Sequence, residues 1–293
     1  MNYNVQLITY NVETLHVTSL QGFIMNNIIP FVSKLFIYPI KALDGVEVES
    51  VKVLNSGALQ FDRQFAIFDQ SGNFVNGKSN QRVHAIRSRF DLNNNTVTVL
   101  APKFAEATFH IKDECEAFEG WLSEYFGFPV QIKQNLNMGF PDDTVSPGPT
   151  IISTATLEAV ASWYPELDVE EVRLRFRNNI EISNVPAFWE DCLFTEANQT
   201  VDFQIGNVKF IGVNPCQRCV VVTRNSQTGT QLSSFQKTFV AQRRQTLPKW
   251  SNKSRFNHFF RLAVNTRIPT SEEAKLISVD DKIQKPGFFV ENL

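Results

Sequence analysis

The sequence predicts an α+β, β-rich protein with two parts, an N-terminal antiparallel β domain closed by one helix and a second β-rich part decorated with helices. Three observations carry this. Hydrophobic residues make up 43% of the 293 positions, enough to fill a core. The apolar residues, 26 Phe among them, gather in short β-branched and aromatic runs such as Leu35-Phe36-Ile37-Tyr38 and Phe65-Ala66-Ile67-Phe68. Turn signals, including Ser71-Gly72-Asn73 and Asn93-Asn94-Asn95, separate these runs as in antiparallel hairpins.

In chain order, residues 1–30 read as polar and aperiodic, a poorly ordered leader, with the functional chain starting near Met25. Strands are expected at Leu35 to Tyr38, Val46 to Leu54, Arg63 to Asp69, Arg82 to Arg89, Thr96 to Leu100 and Ala107 to Ile111. A helix follows: Asp113 is placed to cap it, Phe118, Trp121, Leu122, Tyr125 and Phe126 recur at helical spacing, and Gly127 ends it. The Pro- and Gly-rich stretch around Asn135 to Pro149 marks a junction or long functional loop, dividing the chain into 31–134 and 135–293. Beyond it, Ser153 and Asp168 are placed to cap two helices, the second running to about Phe176. Strands are expected at Ile180 to Ile182, Phe203 to Val213 and Val220 to Thr223, then a helix at Phe235 to Arg244 and an apolar run at Phe259 to Val264.

Charge is distributed unevenly. The net charge is −2, and neither a disordered tail nor a globally basic nucleic-acid binder fits. Yet the 69 residues from Phe203 to Ser271 hold no Asp or Glu and 11 Lys and Arg, leaving 17 basic and 30 acidic residues elsewhere. Such a run fits a face or site built for an anion, or a basic face partnered by acids from elsewhere in the fold. Four cysteines are too few for a disulfide framework, which points to a reducing, cytoplasmic compartment. No apolar run approaches the roughly 18 residues of a membrane span, and no export signal is seen.

Inside the acid-free run lies Asn214-Pro215-Cys216-Gln217-Arg218-Cys219, followed by Val220-Val221-Val222-Thr223. The β-branched run places Cys219 at a strand start, without the helix N-terminus that a thioredoxin-type pair uses. Cys115 and Cys192 are isolated and no two histidines make a close pair, so zinc and iron–sulfur spacings are missing. Cys219 then stands as either an inert core cysteine or, as a thiolate beside Arg218, a nucleophile or soft metal ligand; Cys216 reads as structural. Arg175, Arg177, Asn178 and Asn179 sit where a helix gives way to a strand, and Lys41 ends the first strand. All could face a phosphorylated ligand or only solvent.

Four segments, Leu35-Phe36-Ile37-Tyr38-Pro39-Ile40-Lys41, Phe61-Asp62-Arg63-Gln64-Phe65, Phe176-Arg177-Asn178-Asn179-Ile180 and Cys216-Gln217-Arg218-Cys219-Val220, resemble in order the motifs of MOSC-domain proteins. The likeness runs from about Val32 to Ile283 and is nearest to the mitochondrial amidoxime-reducing component and its bacterial relatives. It implies a MOSC-associated N-terminal β-barrel followed by a MOSC-type β-barrel with flanking helices, and a molybdenum cofactor in the cleft between them. Cys219 would be the molybdenum ligand and catalytic thiolate, with Lys41, Arg63, Arg177, Asn179 and Arg218 holding the cofactor. Glu190 and Asp191 resemble an acidic pair near the active-site mouth. The sequence departs from the pattern at Ala42, at Ser146 and Pro147, and at Phe259, each removing a potential hydroxyl contact.

The function this implies is an oxidoreductase reducing small N-hydroxylated or N-oxygenated compounds. The chain lacks iron–sulfur, flavin and nucleotide-binding signatures, so electrons would come from a separate acidic carrier docking on the basic segment, including Arg243, Arg244 and Lys249. The alternatives are a sulfur carrier or cofactor-handling module using a Cys219 persulfide, and a β-rich binding protein with a structural Cys pair. Neither nucleic acid nor membrane is an expected partner.

Overall fold

A computed structural model describes residues 29–285; the leader expected at residues 1–30 lies almost wholly outside them. The first half contributes β1 (Phe31–Ile37), β2 (Val46–Glu47), β3 (Ser50–Lys52), β4 (Phe65–Asp69), β5 (Arg87–Asp91), β6 (Thr96–Ala101), β7 (Phe104–His110), α1 (Cys115–Phe126) and β8 (Val130–Gln134). The second contributes β9 (Ile151–Ser153), α2 (Thr154–Ala161), α3 (Val169–Phe176), β10 (Ile180–Ser183), β11 (Val201–Ile205), β12 (Val208–Gln217), α4 (Phe235–Gln245), β13 (Arg261–Arg267), β14 (Leu276–Ser278) and β15 (Ile283–Gln284). The fold is α+β and rich in strands, as the alternating apolar runs require.

The N-terminal part is antiparallel. β5, β6 and β7 form a meander and β4 pairs with β8. α1 lays Phe118, Leu122, Tyr125 and Phe126 over the buried Val97, Val99 and Ile67, giving this part its own core. Gly127 ends the helix in the left-handed conformation at φ 79°. Two local expectations fail here. Asn80, whose side chain accepts from the Arg82 N–H at 3.0 Å, starts a 3-10 turn at Gln81–Ala85 within the run expected to be strand. The residue before α1 is Glu114, with no side-chain cap, in place of Asp113.

The second part is a curled sheet in the order β15-β11-β12-β13-β9-β10-β1-β2. It recruits β1 and β2 from the start of the chain. The curl brings its two sides together: Val32 N–H donates to Asp281 O and Ile283 N–H to Pro30 O, each at 2.9 Å, with Phe31 bridging to Lys282. Its interior holds Val32, Leu35, Ile151, Ile180, Phe203, Phe210 and Val264. Outside it, α2, α3 and α4 enclose a third core of Leu157, Tyr164, Phe176, Phe235 and Phe239. Ser153 and Asp168 cap their helices as expected, accepting from Thr156 N–H at 3.1 Å and Glu171 N–H at 2.7 Å. Among the described residues no helix is long and apolar enough to cross a membrane.

Candidate active site

A cavity of about 670 Å³ opens between the two parts. All six sequence-predicted residues, Lys41, Arg63, Arg177, Asn179, Arg218 and Cys219, line it. Clefts of this size with convergent polar groups are where ligands bind.

The chain after β1 is laced to the segment before β4. Arg63 N–H donates to Tyr38 O at 2.7 Å, Phe65 N–H to Pro39 O at 3.0 Å and Lys41 N–H to Phe65 O at 2.7 Å. This pairing turns Lys41 inward until only 8% of the residue is exposed. Its ammonium donates to Phe140 O at 2.9 Å and Asp142 Oδ1 at 2.6 Å, and lies 5.2 Å from the centre of the Phe74 ring. Burial lowers its pKa, and Asp142 opposes the shift. Burial works the other way on Asp142, but Lys41 and Arg63 outweigh it and hold that carboxyl at about 2. Gly139, at φ 64°, lets the 135–150 loop reach this point: a Cβ there would lie 2.5 Å from Asp62 O.

Arg63 and Arg177 both take left-handed backbone conformations, at φ 48° and 52°. Arg177 is the residue at which α3 ends, and the turn is fixed by Arg173, whose guanidinium forks onto Glu181 of β10 at 2.7 and 3.0 Å. The two guanidiniums lie 5.2 and 4.1 Å from the centre of the Tyr38 ring. Arg63 is also paired with Asp62. Burial lowers the pKa of Arg177, whereas the carboxylates of Asp62 and Asp142 overcome burial and raise that of Arg63. Burial pushes the Tyr38 hydroxyl up to about 12, so it stays neutral, donating to Asn178 O at 3.2 Å.

Asn179 is 2% exposed and its amide is engaged within the protein. Nδ2 donates to Phe36 O at 3.1 Å, and Oδ1 accepts from Thr150 N–H at 3.2 Å and Arg63 Nη1 at 3.4 Å. It therefore links β1, the loop before β9 and Arg63.

Cys219 lies at the start of a 3-10 turn, Val220–Thr223, in place of the expected strand. Strand pairing ends at Gln217, where β12 is irregular between Pro215 and Gln217 opposite β13, and the β-branched run then turns back. Cys216 also lines the cavity, so it is no remote structural thiol; Arg218 Nη1 donates to its sulfur at 3.1 Å. The same guanidinium donates to Phe176 O and lies 4.8 Å from the Phe176 ring centre, so the aromatic core under α3 positions it.

Two expectations do not hold. Glu190 and Asp191 lie in a buried 3-10 turn, 1% and 2% exposed, outside the cavity lining. Phe188 and Trp189 carry them into the core, where Glu190 accepts from Thr156 Oγ1 at 3.0 Å and Asp191 pairs with Arg243 and Ser251. Arg243, expected on a docking face, is accordingly 0% exposed. The departures Ala42, Ser146 and Pro147 line the cavity, whereas Phe259 stacks on Phe256 away from it.

The cavity adds residues not singled out by sequence. Tyr38, Asp62, Lys78, His84, Arg87 and Asp142 all line it. Asp62 was within reach, being adjacent to Arg63 in a quoted motif; Asp142 and His84 enter through long-range packing. Buried polar atoms without protein partners, Asn214 Oδ1, Arg261 Nε and Arg224 Nε, belong to residues lining it as well. Their open valences, the guanidiniums and the two thiols fit a polar, anionic ligand that brings a soft metal.

The MOSC N-terminal beta barrel domain matches residues 29–128 and the MOSC domain residues 150–284. Human molybdenum cofactor sulfurase is 23% identical over a match covering 68% of this chain and 27% of that protein. Mitochondrial amidoxime-reducing component 1 of zebrafish (Danio rerio) is 24% identical, covering 68% of this chain and 70% of that one; the human protein is 25% identical, covering 68% and 67%. The chain thus spans about a quarter of the sulfurase and two thirds of the amidoxime-reducing components. A solved structure, the YUAD protein of Bacillus subtilis, gives a TM-score of 0.36 at 9% identity, covering 87% of this chain and 93% of that one. With both halves matched and the fold as described, the chain belongs to the MOSC-domain family.

Proposed function

We propose that this chain is a molybdenum-cofactor-dependent oxidoreductase that reduces small N-hydroxylated or N-oxygenated compounds. One observation carries the reading: Cys219 and five cationic or amide side chains drawn from both halves of the sequence line a single cavity. Cys219 Sγ would ligate the metal, and Lys41, Arg63, Arg177 and Arg218 would hold the cofactor's phosphate and polar edges, while Asn179 fixes the Arg63 guanidinium. Bound there, the cofactor supplies two-electron chemistry. Among the described residues no three of His, Cys, Asp and Glu are grouped to hold a metal, so an ion ligated by Cys219 would bring its other ligands with it. The names of the amidoxime-reducing relatives support the substrate class.

The electron donor in this reading is a separate acidic carrier. Its docking face would use the exposed Lys237, Arg244, Lys249 and Lys253, not the buried Arg243. The experiment is reduction of an amidoxime by cofactor-loaded protein with an artificial one-electron donor. Activity in the natural chain and at least a hundredfold less in Cys219→Ser is expected; equal activity in both would refute the reading.

The likeness to molybdenum cofactor sulfurase favours a second reading, in which Cys219 carries a persulfide. A mass increase of one sulfur on Cys219 in metal-free protein would support it over the first.

A further inference from the structure

The cations of the cavity fall into two groups. Lys41 and Arg63 already have carboxylate partners in Asp142 and Asp62, and Arg87 has Asp44 at 3.4 Å. Arg177 and Arg224, like Lys78, Arg218 and Arg261, have no ion pair among the described residues. Uncompensated guanidiniums facing a shared cavity give it a standing positive potential on that side.

The second group is built into a rigid wall. Arg224 ends the 3-10 turn Val220–Thr223, with its backbone N–H on Val221 O at 3.0 Å and Nη1 on Gly229 O at 3.3 Å. Its Nε is buried without a partner. His84, on the turn Gln81–Ala85, lines the same cavity, and its Nε2 is buried without a hydrogen-bond partner, close enough to Gly77 that a Cβ there would lie 2.6 Å away. The turn ending at Gly229, φ 71°, is pressed on this segment: a Cβ there would meet Gln81 Cγ at 2.7 Å and His84 Cβ at 3.3 Å. Arg87 ties the two together, donating to His84 O at 2.6 Å and Ser226 O at 3.2 Å. Burial lowers the His84 pKa, the Gly77 backbone opposes the shift, and the charges of Arg224, Arg177 and Arg87 add to it.

We propose that His84 and Arg224 form a second oxyanion subsite, which takes a phosphate-sized dianion, besides the one that Lys41, Arg63 and Arg177 would offer the cofactor. The buried Nε of Arg224 gains an acceptor there, and a bound dianion offsets the cations around His84, so that the imidazole takes up a proton as the anion binds. This rests on the cavity's own charges and stands whether or not a molybdenum cofactor binds.

The test titrates inorganic phosphate into the full-length, cofactor-free protein, followed by calorimetry and by the His84 imidazole resonance. Two phosphates per chain are expected, one of them weakened at least tenfold in Arg224→Gln and in His84→Ala, while Lys41→Met weakens the other. In the natural chain, His84 should titrate at higher pH in phosphate than in chloride, a readout that needs no variant to fold. Affinity unchanged in both Arg224→Gln and His84→Ala, or a His84 titration indifferent to phosphate, overturns the proposal, and neither result bears on metal ligation by Cys219. Two sources of a phosphoryl group separate in cofactor-loaded protein. Retained phosphate binding at His84 upholds a second subsite for a phosphorylated substrate, and binding blocked by loading, with the His84 pKa already raised, overturns it, because the cofactor's own phosphate then takes this place.

Discussion

Arg63 and Arg177 lie against the same Tyr38 ring, with both backbones in the left-handed conformation that non-glycine residues seldom adopt. One ends the loop before β4 and the other ends α3, so Tyr38 sets the spacing of two cations from different halves of the chain. Strained backbone of this kind persists where the surroundings over-determine it. Tyr38→Leu is expected to destabilise the fold by about 2 kcal/mol and to lower cofactor retention, while Tyr38→Phe keeps the ring and most of both. Denaturant melts and cofactor content of the two variants check this.

Asp142 occupies Lys41 as a competing anion. Because Lys41 and Arg63 hold its pKa at about 2, it remains charged at any ordinary pH, and its contact with Lys41 is lost only as pH falls through that value. Asp142→Asn should therefore tighten phosphate binding at the Lys41 end severalfold by calorimetry at pH 7. No change would mean that the ammonium is not gated by this carboxylate.

The Asp191–Arg243 pair is the most buried ion pair among the described residues, with both side chains shielded from water. Removing one partner leaves the other charge buried alone. Arg243→Ala should cost about 3–5 kcal/mol in urea unfolding, whereas charge reversal at the exposed Lys237 and Arg244 should leave stability within about 0.5 kcal/mol.

Glu190 introduces a pH dependence of the opposite sign to Asp142. Burial, with Asp191 adding to it, raises its pKa to about 7 from an ordinary value near 4.5. The stabilising form is protonated: its contribution is complete below about 4.5 and declines as pH rises through about 7. Glu190→Gln should flatten the loss of stability between about pH 4.5 and 7, measured as urea midpoints across that range. A natural chain and variant with parallel profiles would contradict this placement.

Local signals were legible where one residue decides the geometry. Ser153 and Asp168 begin their helices through short cap bonds, and Gly127 ends α1 because it accepts the left-handed turn. The six residues expected at the site were named through their motifs, and they line one cavity. What failed depended on partners far away in sequence. Val220–Thr223 has strand composition, but pairing with β13 ends before it. Arg243 sits in a basic, polar helix, and only the inward turn carrying Asp191 explains its burial. Asp142 reaches Lys41 through a glycine-hinged loop that no periodicity marks.

Metal content decides whether Cys219 ligates molybdenum. Full-length protein made in cells that synthesise the cofactor would be analysed by elemental mass spectrometry as the natural chain, Cys219→Ser and Cys216→Ser. Near-stoichiometric molybdenum is expected in the natural chain, retained in Cys216→Ser and sharply reduced in Cys219→Ser. Molybdenum unchanged in Cys219→Ser, or absent from the natural chain, would contradict that ligation.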